Sequence, residues 1–364
     1  MKRVIISGGG TGGHIYPALA IADALKAQHP GIDILFVGAH GKMEMEKVPQ
    51  AGYPIKGLHI AGFNRKQLLK NLFLPFKVLR SLFAARSILN TFKPELVIGV
   101  GGYASGPTLQ VANWLKIPTL IQEQNSFPGK TNLLLAKKAK AICVAYPHME
   151  RFFPKEVIHL TGNPVRQDLI HGAPNKQDGY AFYSLNPSLK TVFIMGGSLG
   201  AKSINAAVVK ELEQLKHTEI QVLWQCGKGY FEQLKELSLS PNINLLPFIE
   251  RMDYAYAVAD IIVSRAGATS ISELTLVGKP CVLVPSPNVT EDHQTKNATA
   301  LSSINAAILV PDAQVLDKLW PTVYATLTDS DSTALLAQHI KTLALPHATE
   351  HIVSICNKLI SHEP

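Results

Sequence analysis

The 364-residue chain has only four cysteines, Cys143, Cys226, Cys281 and Cys356, widely separated and with no CxxC pair. Each stands in an apolar stretch where a buried free thiol is the ordinary expectation, so neither a disulfide framework nor a cysteine zinc site is predicted. Among the 13 histidines there is no HExxH, and no zinc site is expected from them. The single DxD, Asp329-Ser330-Asp331, lies in a polar turn without an apolar strand before it and reads as a helix cap. No uninterrupted apolar run approaches the roughly 18–20 residues that span a bilayer. The start, Met1-Lys2-Arg3-Val4-Ile5-Ile6-Ser7, is too short in apolar residues for a signal-peptide core, and a cytoplasmic location is expected.

The composition is that of a folded globular chain, with 46% hydrophobic and 17% charged residues, 26 Gly and 23 Pro. This excludes disordered, collagenous and coiled-coil classes. The length suits two domains of roughly 160–200 residues, each able to bury a core. Charge is distributed unevenly. Residues 1–165 carry 20 Lys+Arg against 8 Asp+Glu, a net of +12, and residues 166–364 carry 15 against 19, a net of −4. Without an RNP, helix-turn-helix or zinc-finger signature, nucleic acid is not the expected partner. An anionic membrane face or an anionic substrate remains for the basic half.

Short β-branched runs ending in glycine alternate with helical patterns, as in parallel βαβ units. Strands are predicted at residues 3–7, 33–37, 95–100, 117–122, 139–144 and 157–160, then at 191–195, 221–225, 243–246, 260–264, 280–284 and 307–310. The two sets also correspond in the loops at their strand ends: VIISGGGTGGH parallels VFIMGGSLGAKS, and LVIGVGGYASG parallels IIVSRAGATSISE. The predicted fold is α/β, two doubly wound Rossmann-like domains facing across a cleft. Ligands of such sheets bind outside the carboxyl ends of the strands. Domain bounds are expected at 1–161 and 162–343, with residues 344–364 returning to the first domain.

The loop Gly8–His14 offers bare amides and a helix start opened by Pro17, suited to an anion. A nicotinamide reading needs an acid at the end of the second strand, which Val37-Gly38-Ala39-His40 lacks. Gly196–Ala201 is the matching loop of the second half, with the Ser198 hydroxyl as a further donor. Gly267–Glu273 runs from a strand into small residues and then a carboxylate, fit for diphosphate at the helix end and ribose at Glu273; a capping motif using Thr269 or Ser270 is the equal alternative. Gln294 and Asn297 are candidates for sugar hydroxyls, and Gln122-Glu123-Gln124-Asn125 is a polar cluster after a buried-type strand. Finally, Phe63, Lys66, Leu72, Phe73, Leu74, Phe76, Lys77 and Arg80 compose an apolar patch rimmed by cations, as in interfacial membrane contacts.

The motifs GGGTGGHIYPALAIADAL, GVGGYASGP, EQN, GNPVR, GGSLGA, SRAGATSISE and DHQTKNA, in this order from residue 1 to about 300, resemble those of the MurG family, the peptidoglycan N-acetylglucosaminyltransferases. The resemblance implies a metal-independent GT-B enzyme without a cofactor. It would move N-acetylglucosamine from UDP-N-acetylglucosamine to the C4 hydroxyl of the muramoyl sugar of lipid I, with inversion, giving lipid II and UDP. It further implies peripheral attachment to the anionic cytoplasmic face of the inner membrane, and other cell-wall assembly proteins as partners. Carried over by motif, Thr11, Gly12 and Gly13 match diphosphate-loop positions and Asn125 a donor-sugar contact. Arg166 and Ser198 match nucleotide and phosphate contacts, and Ile249 a backbone contact to uracil. Ala268, Thr269, Ser270, Ile271, Ser272 and Glu273 match the diphosphate and ribose loop, and Gln294 a sugar contact. Gln122 departs from relatives with His before EQN, and the polar loop before Gln294 also differs. His14 is the expected general base, with Glu123 as the alternative.

Overall fold

The computed structural model describes residues 1–60, 74–165, 169, 175–197, 199–289 and 292–361, with Leu74 described in its backbone only. The chain divides into two compact units, Met1–Val165 with His347–Pro364, and Arg166–Pro346.

The first unit holds a seven-stranded parallel sheet of order β3-β2-β1-β4-β5-β6-β7. Its strands are β1 (Arg3–Ser7), β2 (Asp33–Ala39), β3 (Ile55–Leu58), β4 (Leu96–Gly99), β5 (Thr119–Glu123), β6 (Ala141–Val144) and β7 (Ile158–Leu160). The six strands expected in this half are there, with ends shifted by up to two residues, and β3 is additional. β3 pairs Phe36 with Ile55 and Ala39 with Leu58. On one face the helix Gly12–Gln28 buries Ile15, Ala18, Ile21, Ala22 and Leu25 against Val4, Ile6, Ile34 and Ile98, and Ile352, Val353 and Cys356 of the helix Ala348–Ser361 complete that core. Polar pins reinforce it: His29 Nε2 lies 2.8 Å from Asn357 Oδ1, and Asn357 Nδ2 donates to Gln28 Oε1.

The second unit repeats the plan with six parallel strands, β10-β9-β8-β11-β12-β13. These are β8 (Lys190–Met195), β9 (Ile220–Gln225), β10 (Ile243–Leu246), β11 (Ile261–Ser264), β12 (Cys281–Leu283) and β13 (Ile308–Leu309). Near-continuous apolar strands such as Val192-Phe193-Ile194 and Ile261-Ile262-Val263 are fully buried, as strands covered by helices on both faces must be. In each sheet the winding reverses beside the first strand, at β1/β4 and at β8/β11, and the glycine-rich loops lie at the carboxyl ends there. All four cysteines are buried and free. Among the described residues no helix is long and apolar enough to cross a membrane.

Candidate functional site

In the first unit the loops after β1 and β4 interlock. Gly9 N donates to Gly101 O at 3.3 Å, and a side chain on Gly102 would collide with the Gly9 carbonyl. Glycine at 101 and 102, with φ +94° and +87°, is therefore demanded both by conformation and by space. Gly8, Gly9 and Gly10 have spent their amides, on Val37 O, Gly101 O and Glu44 Oε2. The amides of Thr11, Gly12 and Gly13 stand at the first turn of the helix Gly12–Gln28, where intrahelical acceptors do not exist and no acidic side chain intrudes. An anion would meet these three.

His14 comes next, half-buried. Its Nδ1 lies 3.0 Å from Gly9 O and 3.2 Å from Thr11 Oγ1. A carbonyl can only accept, so the neutral ring carries its proton on Nδ1 and a lone pair on Nε2. That nitrogen sits over Gly101, where an added Cβ would lie 2.8 Å from it.

Glu123 is not placed as a base. It is 1% exposed. Its Oε1 accepts from the amide and side chain of Asn125, and its Oε2 from Gly129 N and Asn132 Nδ2 at 3.1 and 2.8 Å. Burial pushes its carboxyl above the usual range while these donors pull the other way. With both oxygens committed, it organises the loop 123–132 and thereby holds Asn125. Gln122 and Gln124 are likewise internal: Gln122 Nε2 donates to Asn163 Oδ1, Gln124 Nε2 to Val100 O and to the Gln122 side chain, and Asn163 Nδ2 to Gln124 O.

In the second unit the helix Ala268–Val277 starts after Gly267, whose backbone is extended and which as a glycine brings no side-chain cap. The Thr269 hydroxyl is buried without a hydrogen-bond partner among the described residues. Ile271 N bonds to Gly267 O at 2.9 Å and its side chain is in the core, while the Ser272 hydroxyl bonds back to Ala268 O. The Ile271 N–H and the Ser272 hydroxyl proton are thus spent within the helix, whereas the first-turn amides of Ala268, Thr269 and Ser270 have no intrahelical acceptor. Glu273 is 7% exposed and its Oε2 accepts from Tyr256 OH at 2.8 Å. Arg265 ties this loop to its neighbours through Val284 O, Asp312 and Ser203. Gln294 Oε1 accepts from Ser286 N at 2.8 Å, and Asn297 is fully buried, its Nδ2 3.4 Å from Ala266 O. Ile249 is buried. In the loop Gly196–Ala201, Gly197 and Gly200 have φ near +80°, and Gln225 Nε2 donates to Gly197 O.

Arg166 and Ser198 lie outside the described residues, as do Phe63, Lys66, Leu72 and Phe73 and the side chain of Leu74. On the helix Leu74–Phe92, Phe76 is 71% and Phe83 73% exposed, with Leu79 between them at 53%. Their three- and four-residue spacing makes one apolar stripe beside the exposed Lys77 and Arg80. Phe83 extends this patch beyond Arg80, where the sequence expectation ended; the period 76-79-83 was the available signal. A second missed residue is Glu44, a buried carboxylate that reaches the glycine loop after β1. His347 and His351, one helical turn apart, bring their rings to 6.2 Å, and no group of three or more possible metal ligands gathers among the described residues. Asp329 caps the helix Ser330–Thr342 by accepting from Ser332 N.

Two parallel α/β domains, each with a bare helix start beside its switch point, have the architecture of the GT-B class. Residues 4–144 match the glycosyltransferase family 28 N-terminal domain and residues 191–352 the family 28 C-terminal domain. The UDP-N-acetylglucosamine--N-acetylmuramyl-(pentapeptide) pyrophosphoryl-undecaprenol N-acetylglucosamine transferase of Cytophaga hutchinsonii is 55% identical over 359 residues, covering 99% of this chain and 97% of its own. That of Bacteroides fragilis is 51% identical over 362 residues, covering 98% and 95%. The crystal structure of Acinetobacter baumannii MurG superposes with a TM-score of 0.79 at 32% identity, covering 98% of this chain and all of that one. The chain belongs to glycosyltransferase family 28, among the MurG transferases.

Proposed function

We propose that the chain transfers N-acetylglucosamine from UDP-N-acetylglucosamine to the C4 hydroxyl of the muramoyl sugar of lipid I; its 55% identical relative is named for transfer of N-acetylglucosamine to N-acetylmuramyl-(pentapeptide) pyrophosphoryl-undecaprenol. Inversion calls for one in-line displacement: the acceptor oxygen bonds to the anomeric carbon, the bond to the diphosphate breaks, and a base takes the hydroxyl proton. His14 is that base. The observation that carries the assignment is its Nδ1 contact with Gly9 O, which fixes the tautomer with the lone pair on Nε2.

UDP leaves with its charge on the diphosphate. The amides of Ala268, Thr269 and Ser270 and the Thr269 hydroxyl receive it, each such donor contributing on the order of 3 kcal/mol to the barrier; the uncapped helix start and the buried hydroxyl support this reading. Glu273 holds the ribose, Gln294 gives its amide nitrogen to a sugar oxygen, and Ile249 meets the uracil through its backbone. For Arg166 and Ser198 the roles are those the family motifs imply, toward the nucleotide and a phosphate. The amides of Thr11, Gly12 and Gly13 take a substrate diphosphate, and Asn125 contacts the donor sugar. The stripe Phe76, Leu79 and Phe83, with Lys77 and Arg80, lies in the anionic cytoplasmic leaflet and delivers the protein to its lipid substrate.

The test is transfer of labelled N-acetylglucosamine to a lipid I analogue by the native chain and by His14→Ala. Lipid-linked disaccharide from the native chain, largely lost in a variant that still binds UDP, is the expected result. Tight donor binding with no lipid-linked product would overturn the transferase reading in favour of an epimerase or a sensor.

A further inference from the structure

Glu44 is 2% exposed, yet sequence reading assigned it nothing. It opens the short helix Glu44–Gln50 and turns its carboxylate back toward β1 and β2. Oε2 accepts from Gly10 N at 2.7 Å and Oε1 from Ala39 N at 2.9 Å. The carboxyl group also fills the space beside Gly9, where an added Cβ would run into it, and its stem occupies the space beside Gly38. One buried side chain therefore spans the end of β2 and the glycine loop, 34 residues away in sequence.

The loop it grips carries His14. Gly9 lies beside the carboxylate, and the Gly9 carbonyl receives the His14 Nδ1 proton. A shift of the Gly9-Gly10 peptide would turn that carbonyl and release the ring. We propose that Glu44 is a positioning residue for transfer: by holding Gly10 N–H it fixes the direction of the Gly9 carbonyl, and so the tautomer and aim of His14. Part of this rests on the reading of His14 as the base; the link from Glu44 to the His14 tautomer does not. The two acceptor oxygens cannot be replaced by an amide, since Gln has one oxygen and its NH₂ would face an N–H in either orientation. Nor does Glu44 compete for an anion, because the amide it takes, Gly10, is distinct from those of Thr11, Gly12 and Gly13 at the helix start.

The experiment compares the native full chain with Glu44→Gln by steady-state transfer kinetics and by nitrogen NMR of histidine-labelled protein. Glu44→Gln should lower kcat about 100-fold, the order expected of a misplaced catalytic group, with the donor KM little changed. The His14 resonances should pass from a single Nδ1-protonated form to a mixture. A Glu44→Gln chain with native kcat and an unchanged His14 tautomer would overturn the proposal. Should that variant fail to fold, hydrogen exchange in the native chain decides: Gly10 N–H should be strongly protected while Gly12 and Gly13 exchange quickly, and equal rates at the three would overturn it. If His14→Ala proves fully active while Glu44→Gln still scrambles the tautomer, the base assignment falls and the Glu44 link stands.

Discussion

His14 Nε2 rests over the α-carbon of Gly101, so close that a methyl group there would lie 2.8 Å from the nitrogen. The backbone at Gly101, with φ +94°, favours glycine for a second reason. Gly101→Ala should therefore displace the imidazole and lower the transfer rate about 100-fold. Calorimetric titration with UDP-N-acetylglucosamine should show donor affinity close to native, because the proposed nucleotide contacts are in the other unit. A fully active Gly101→Ala enzyme would count against His14 as the base.

Tyr256 is 2% exposed and donates to Glu273. A hydrogen bond to a charged group is worth about 1.5 kcal/mol or more, so Tyr256→Phe should raise the donor KM roughly tenfold with a smaller change in kcat. A change confined to kcat would remove Glu273 from ribose binding.

The stripe on the helix Leu74–Phe92 should govern attachment without governing chemistry. Burying a phenylalanine side chain contributes about 1.5–3 kcal/mol, so Phe76→Ser with Phe83→Ser should weaken co-sedimentation with phosphatidylglycerol vesicles on the order of 100-fold. Turnover of a short-chain, water-soluble lipid I analogue should stay native. Vesicle binding equal to that of the native chain would place the membrane contact elsewhere.

Lys279 supplies a pH signature. Its ammonium donates to Ala257 O and Ala259 O, and burial, with the nearby Lys176, lowers its pKa to about 8 from 10.5. Between these values the unfolded chain binds the extra proton, so stability rises with pH from about 8 to about 10.5, by about 3 kcal/mol, and is flat in this respect below 8. Urea unfolding at about pH 7.5, 9 and 10.5 should show this rise in the native chain relative to Lys279→Met. Parallel curves for the two would refute it.

The sheets were legible because buried parallel strands write themselves as β-branched runs, and twelve of the thirteen strands among the described residues were expected from the sequence. β3 escaped because Ile-Lys-Gly-Leu has neither an apolar run nor alternation; it is a strand by virtue of its register with β2. Glycine loops and helix starts could be read locally, which is why the loops Gly8–His14 and Gly267–Glu273 stood out as anion-binding candidates. The allotment of hydrogen bonds could not be read. Glu123 looks like a base in sequence, but Asn125, Gly129 and Asn132 consume its oxygens. Glu44 looks like an ordinary helix-start acid, and its significance comes from Gly10, a partner that only tertiary folding supplies.

The helix Ala348–Ser361 contributes Ile352, Val353 and Cys356 to the core beneath β1 and β4. The first unit is consequently discontinuous along the chain, and during synthesis its core is still open when the second unit has already emerged from the ribosome. A chimera that exchanges halves with a relative at residue 165 would join this helix to a foreign core. Exchanging the halves as working modules requires two crossovers, one near residue 165 and one near residue 346.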